Sequence, residues 1–229
     1  MIIKGRMRLV EIIGIFIRKF RSFLRLTKNK VRSQRWGFSP TKIYDVSFFD
    51  GPGCAKGASK AAEVVQVLMQ VFLPRKVFDV GCGSGFYLKE FATRGVLAVG
   101  CEGSAEGVSR CAPPCLVFQW DLRKPLLINF QFDLVLCIEV AEHLPSRFSE
   151  VLVMSVARLA SEHVVFTASP PGSAGDDHIN CRKPEFWDAL FNKHGFVVDK
   201  ELSAILRRRF QEIDAARWLQ LHLAVYGKK

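Results

Sequence analysis

The apolar positions of this chain change period several times, and those changes order its elements. Ala61 to Phe72 repeats at helical spacing and stops before Pro74. Short apolar runs then alternate with helical stretches. Residues 77–80 predict a strand, 86–93 a helix, 96–101 a strand, 105–110 a short helix and 116–119 another strand. Residues 132–138 are apolar but for Asp133, as a strand buried on both faces requires. Residues 147–159 predict a helix, 163–167 a strand, 184–194 a helix closed by Gly195, 196–198 a sixth strand and 221–226 a seventh. Alternation of this kind predicts an α/β fold, a mostly parallel seven-stranded sheet with helices on both faces. In such sheets a ligand sits outside the carboxyl ends of the central strands. The domain division that follows is a 1–35 arm, a turn-rich 36–58 linker or substrate lid, and a 59–229 body.

The arm has a different pattern. Glu11, Gly14, Arg18, Arg21, Ser22 and Arg25 share one helical stripe, and isoleucines, phenylalanines and Leu24 cover the remainder. The apolar stretch from Leu9 to Ile17 contains Glu11 and ends at Arg18 and Lys19, too short and too charged to span a bilayer. It also lacks the small-residue cleavage site of a secretory signal. A wide apolar face beside a cationic stripe suits a membrane interface, through residues 9–35. Packing of the helix on its own domain, nucleic-acid binding and a cleaved organelle-targeting peptide are the other readings. Few aromatics interleave the basic run 28–35, which weighs against nucleic acid.

Charge sharpens this division. Residues 1–35 carry eleven Lys/Arg and one acid, a balance of +10, while 36–229 carry 22 basic and 21 acidic side chains, a balance of +1. The basicity therefore belongs to the arm. The seven cysteines form no CxxC pair, and several sit within apolar runs. An odd count without a signal peptide implies a reducing compartment, hence a cytoplasmic protein, peripheral on a membrane if the arm binds one. Cys111 and Cys115 have no second pair to complete a zinc site.

The most specific chemistry lies in VFDVGCGSGFY, residues 77–87. A strand ends in Asp79, and Gly81, Gly83 and Gly85 follow at alternate positions before a helix. A dinucleotide fingerprint would need its third glycine at Phe86. A carboxylate just before the first glycine repels a pyrophosphate and suits an amino-bearing ligand.

This D-x-G-x-G-x-G segment resembles the first motif of class I S-adenosylmethionine-dependent methyltransferases, and further landmarks follow in the family's order over about residues 60–229. Glu102 ends the second strand, where the family's acid binds ribose hydroxyls. Asp121, in QWDL, is similar to the acid that meets the adenine amino group. FDLVLCIEVAEHLP resembles the fourth-strand motif, GDDHIN (175–180) with PEFWDALFNKHGF the loop and helix after strand five, and LHLAVYGKK the closing strand. The resemblance implies a Rossmann-like sheet and S-adenosyl-L-methionine as cofactor. It places Asp79, Gly81, Cys82, Gly83, Gly85, Glu102, Gly103, Asp121, Leu122 and Ile138 at the cofactor.

In CIEVAEHLP, residues 137–145, Glu139, Glu142 and His143 fall at i, i+3 and i+4 after the fourth strand, spaced to face one cleft. The E-x-x-E-H spacing is similar to that of ubiquinone-pathway O-methyltransferases and small-RNA 2′-O-methyltransferases, where these positions bind a divalent metal such as magnesium. His178, after strand five, would complete the set of Glu139, Glu142, His143 and His178. In the competing reading no metal binds, Glu142 caps the following helix, and His143 or His178 is a general base beside Glu139. The other histidines, at 163, 194 and 222, read as structural. The run Arg207–Arg209 reads as a solvated face or as recognition of an acidic substrate.

Together these point to methylation of a hydroxyl on a small-molecule, glycan or lipid-linked acceptor. The alternatives are an RNA 2′-O-methyltransferase and a non-catalytic methyltransferase-like subunit.

Overall fold

The computed structural model describes residues 14–15, 44–111, 113–173 and 177–229. The amphipathic arm predicted over 1–35 lies, but for residues 14 and 15, outside the described residues. No helix among the described residues is long and apolar enough to cross a membrane.

Seven strands form one sheet: β1 (Lys76–Val80), β2 (Leu97–Glu102), β3 (Leu116–Gln119), β4 (Phe132–Ile138), β5 (Ala160–Thr167), β6 (Phe196–Asp199) and β7 (Ala224–Lys228). Their order is β3-β2-β1-β4-β5-β7-β6. The first five run parallel, and β7 inserts antiparallel between β5 and β6. Strand order reverses between β1 and β4, so the chain leaves these two neighbours in opposite directions and opens a crevice at their carboxyl ends. This is the predicted Rossmann-like α/β architecture.

Because successive strand residues point to opposite faces, the continuous apolar runs feed two cores. Phe78, Val80, Val135 and Cys137 pack toward α6 (Ser149–Leu159) and α7 (Pro184–Lys193). Val77, Leu134, Leu136 and Val165 pack toward α3 (Ala61–Phe72), α4 (Phe86–Thr93) and α8 (Lys200–Glu212). The remaining helices are α1 (Val46–Phe49), α2 (Pro52–Ser59), α5 (Ala105–Arg110) and α9 (Arg217–Leu221).

Three segments depart from the predicted elements. Residues 46–58, in the expected turn-rich linker, instead form α1 and all but the last residue of α2; Asp45 caps α1 through Ser47 N and Phe48 N, and Pro52 opens α2. The thirteen-residue α8 was not predicted. Only Ser203, Leu206 and Phe210 of it are buried, a narrow stripe in a strongly polar sequence. The late strand begins at Ala224 rather than 221, since Arg217–Leu221 coils as α9.

Candidate functional site

The site starts from the turn after β1. Gly81, Gly83 and Gly85 take φ of 77°, 54° and 71°, the left-handed region that side chains disfavour. At Gly81 space adds to this constraint: a Cβ there would lie 2.6 Å from Val140 Cγ2. Gly81 N and Cys82 N both donate to Cys101 O, at 2.8 and 3.1 Å, which ties the turn to β2.

Three acids surround this turn. Asp79, at the carboxyl end of β1, is 4% exposed; burial, and then the charge of Glu102, push its carboxyl up to about 7. Glu102 ends β2 and accepts from Gly83 N at 2.9 Å and Ser104 N at 2.8 Å. Burial raises its pKa even so. Asp121 accepts from Arg123 Nε at 2.8 Å and from Arg123 Nη2 at 3.0 Å. Burial pushes the Asp121 carboxyl up, but the Arg123 hydrogen bonds outweigh that and hold it below its ordinary value.

A cavity of about 280 Å³ opens above the turn, and Gly81, Gly83, Glu102, Gly103, Asp121 and Leu122 line it. Glu139 and His143 form its far wall. Asp79, Gly85 and Ile138 are not among its lining residues, and neither is Cys82. The Cys82 side chain belongs to the core, where a Cβ on Gly100 would meet its Sγ at 3.1 Å; only its backbone serves the turn. Tyr44, Phe48 and Phe49 cover the cavity. Ser104 Oγ donates to Tyr44 O at 2.5 Å, Arg110 pairs with Asp50 at 2.7 Å, and the Arg110 guanidinium lies 5.6 Å from the Phe49 ring centroid.

The β4 end supplies the second half of the site. Glu139 adopts φ 54° rather than starting a helix, so the predicted i, i+3, i+4 alignment does not form. Its amide donates to Thr167 Oγ1 at 2.9 Å, and that hydroxyl donates to Glu139 Oε1 at 2.8 Å. Ala141–His143 then makes a single 3₁₀ turn, which points Glu142 inward and leaves it fully buried. Glu142 Oε1 accepts from Ser169 N at 3.1 Å, so the side chain reaches the end of β5 rather than capping a helix. Burial, and then the charge of Glu139, push its carboxyl up to about 8. Glu142 O accepts from Ile179 N and Asn180 N at 3.0 and 2.9 Å, anchoring the loop that carries His178.

The His143 and His178 rings meet edge-on with centroids 4.9 Å apart. Burial, and then the charge of His178, lower the His143 pKa to about 4, so this imidazole is neutral near pH 7. One ligand atom each from Glu142, His143 and His178 lies within 4.8 Å of the others; Glu139 is not part of this group, and its Oε1 is taken by Thr167. Glu142 Oε2, His143 Nδ1 and His178 Nδ1 are buried and have no hydrogen-bond partner among the described residues. Gly175 and Asp176 of the GDDHIN segment lie outside the described residues.

Sequence reasoning missed Tyr44, Arg123, Thr167 and Ser169. Asp-x-Arg at 121–123 carried a local signal, since a guanidinium two residues on can fold back onto the carboxylate. The other three reach their partners over long sequence separations and left no local mark.

Comparisons with known proteins give the fold and the family. A family model described as a methyltransferase domain matches residues 55–209, more than half of the chain. No curated protein matches. Among solved structures the chain is similar to magnesium protoporphyrin IX methyltransferase from Synechocystis PCC 6803 with bound SAH, at 16% identity and TM-score 0.57, over 82% of this chain and 92% of that one. It is similar also to the SAM-bound amino pentose methyltransferase CalS10 from Micromonospora echinaspora, at 16% identity and TM-score 0.61, over 86% and 100%. The sugar N-methyltransferase KedS8 from Streptoalloteichus sp. has 17% identity and TM-score 0.61, over 86% and 97%. Such identities speak for the shared fold; the family match spans the glycine turn, the acids and the histidine cluster alike. The chain belongs to the methyltransferase-domain family.

Proposed function

We propose that this protein transfers a methyl group from S-adenosylmethionine to a hydroxyl oxygen of a small-molecule, glycan or lipid-linked acceptor. The observation that carries the reading is the placement of the His143 imidazole on the wall of the cavity that the glycine turn and Glu102 also line. When bound, S-adenosylmethionine supplies a methyl on a sulfonium already activated for transfer. Asp79 suits an amino group, and Glu102 keeps lone pairs for ribose hydroxyls beyond its two backbone donors. The Asp121 carboxylate, fixed by Arg123, faces the same cavity and suits the adenine amino group. Tyr44 and Phe49 exclude water from above. His143 takes the proton the acceptor hydroxyl loses, and Glu139, held by Thr167, lines the same cavity.

A second reading has its own support. Among the described residues Glu142, His143 and His178 each keep a buried polar atom without a partner, and one ligand atom from each lies within 4.8 Å of the others, a donor set that fits a divalent cation. Two imidazoles in three ligands favour a borderline cation such as zinc or manganese over magnesium. The cation would be held by Glu142, His143 and His178 and would ease deprotonation of the hydroxyl.

The test is a methyl-transfer screen of membrane extracts and RNA with labelled cofactor, run with and without exhaustive chelation. Label in an alkali-stable methyl ether of a small or lipid-linked molecule is the expected result. Label confined to nitrogen overturns the hydroxyl assignment, label in RNA moves the acceptor class, and full activity after chelation excludes the cation. Failure of the cofactor to bind in calorimetry would sink the reading as a whole.

A further inference from the structure

The end of β5 serves two faces. Thr167 and Ser169 hold the Glu139 and Glu142 carboxylates of the site above. Phe166, Ala168 and Pro170, at the alternate positions, line a separate cavity of about 190 Å³. Its other walls come from α7 and the segment before it, from β6 and α8, and from β7 and the segment just before it.

Three side chains of permanent positive charge line this cavity: Arg182 before α7, and Lys200 and Arg207 from α8; His222 stands with them. The one carboxylate in the lining, Asp188, accepts the Tyr226 hydroxyl at 2.8 Å. None of the three cations pairs with a carboxylate among the described residues. Arg182 donates Nε to Asn180 Oδ1 at 3.0 Å and Nη2 to Ser146 Oγ at 2.7 Å, which fixes its guanidinium. Arg207, half-buried, spends Nη1 on Leu223 O at 3.4 Å. Arg182 Nη1, the rest of the Arg207 fork and the Lys200 ammonium are free of hydrogen-bond partners among the described residues. Trp187, 3% exposed in the same wall, has a buried indole N–H with no acceptor among the described residues.

Arg182 and Lys200 are exposed, as Arg208 is, but unlike Arg208 they line one concavity together with the half-buried Arg207. Like charges gathered between apolar walls repel one another, and an anion relieves that repulsion. Three cations against one engaged carboxylate match a doubly charged anion, and planar guanidinium forks match tetrahedral phosphoryl oxygens. We propose that this cavity binds the phosphoryl group of a small phosphate or diphosphate ester. The proposal stands apart from the methyl-transfer reading, because neither Glu102 nor His143 takes part in it.

Calorimetry of the full chain with inorganic phosphate and pyrophosphate, at constant ionic strength, tests it, alongside the indole N–H resonance of Trp187 assigned with Trp187→Phe. The expected result is saturable one-site binding, tighter for pyrophosphate, that shifts this resonance. Arg207→Gln and Lys200→Gln should each weaken binding about tenfold or more, and Arg208→Gln should leave it unchanged. If Arg207→Gln fails to fold for want of its bond to Leu223, Lys200→Gln, exposed at the rim, decides alone. Absent or unsaturable binding overturns the proposal, and so does equal weakening by Arg208→Gln. Glycerol 3-phosphate and phosphatidylcholine vesicles carrying phosphatidic acid separate the sources: binding of the first assigns a soluble ester, and binding of the vesicles alone assigns a lipid headgroup.

Discussion

The two halves of the methyltransferase site treat their polar atoms in opposite ways. At the β1–β3 edge the line-up is satisfied in advance: Glu102 holds two backbone amides and Asp121 holds the Arg123 fork. At the β4–β5 edge Glu142, His143 and His178 each keep a buried atom without a partner among the described residues. A buried polar atom left bare costs roughly 1–3 kcal/mol, a cost that Glu102 and Asp121 offset with their donors, while buried Asp79 is the exception in the first half. The contrast separates holding from reacting. A rigid, pre-bonded half suits a ligand of fixed shape, and a half with open lone pairs suits protons or cations that come and go.

The largest expected effect breaks the reacting half. His143→Ala should lower kcat by about 10²–10⁴, the usual worth of a general base, while the cofactor dissociation constant measured by calorimetry stays unchanged. A parallel loss of cofactor affinity would erase the distinction between the halves. On the holding side, Glu102→Ala should weaken cofactor binding by about 10- to 100-fold, the loss of hydrogen bonds to a charged group, with a smaller effect on kcat at saturation. An unchanged dissociation constant would contradict the ribose role.

Asp79 sharpens the comparison through pH. Its folded pKa of about 7 lies above the ordinary carboxylate value, so the folded chain binds the extra proton in between. The contribution of Asp79 to stability therefore falls as pH rises from the ordinary carboxylate range to about 7, and is level above that. Asp79→Asn should flatten that slope in denaturant titrations. Pairing with a cofactor amine needs the ionised form, so cofactor affinity should rise with pH up to about 7 in the parent and not in Asp79→Asn. The smallest effect concerns the cation. Manganese or zinc added to chelated protein should raise Tm, and Glu142→Gln should remove the increase; no shift in the parent would leave the histidines to act alone.

What the sequence made legible tracks how local each feature is. The positions of the glycine turn, Glu102 and Asp121 were readable because each lies at the end of its own apolar run, and the family resemblance singled them out. The parallel sheet was readable for the same reason. Glu139 was misaligned because its backbone is turned by Thr167, 28 residues away, which no helical spacing encodes. The lid residues 44–50 and α8 were invisible as elements. Their partners, Ser104 and Arg110 for the lid, lie about 60 residues downstream, and α8 shows the core only a narrow stripe. Cys82 was placed at the cofactor by its motif position, yet the turn directs its side chain into the core.

The cover formed by Tyr44, Phe48 and Phe49 bears on the timing of turnover. It is latched to α5 and its N-cap by the Ser104 hydroxyl and by Arg110, which grips both Asp50 and Phe49. If the spent donor leaves past this cover, those latches must open first, and that conformational step can set the pace of the whole cycle even when the chemistry is fast.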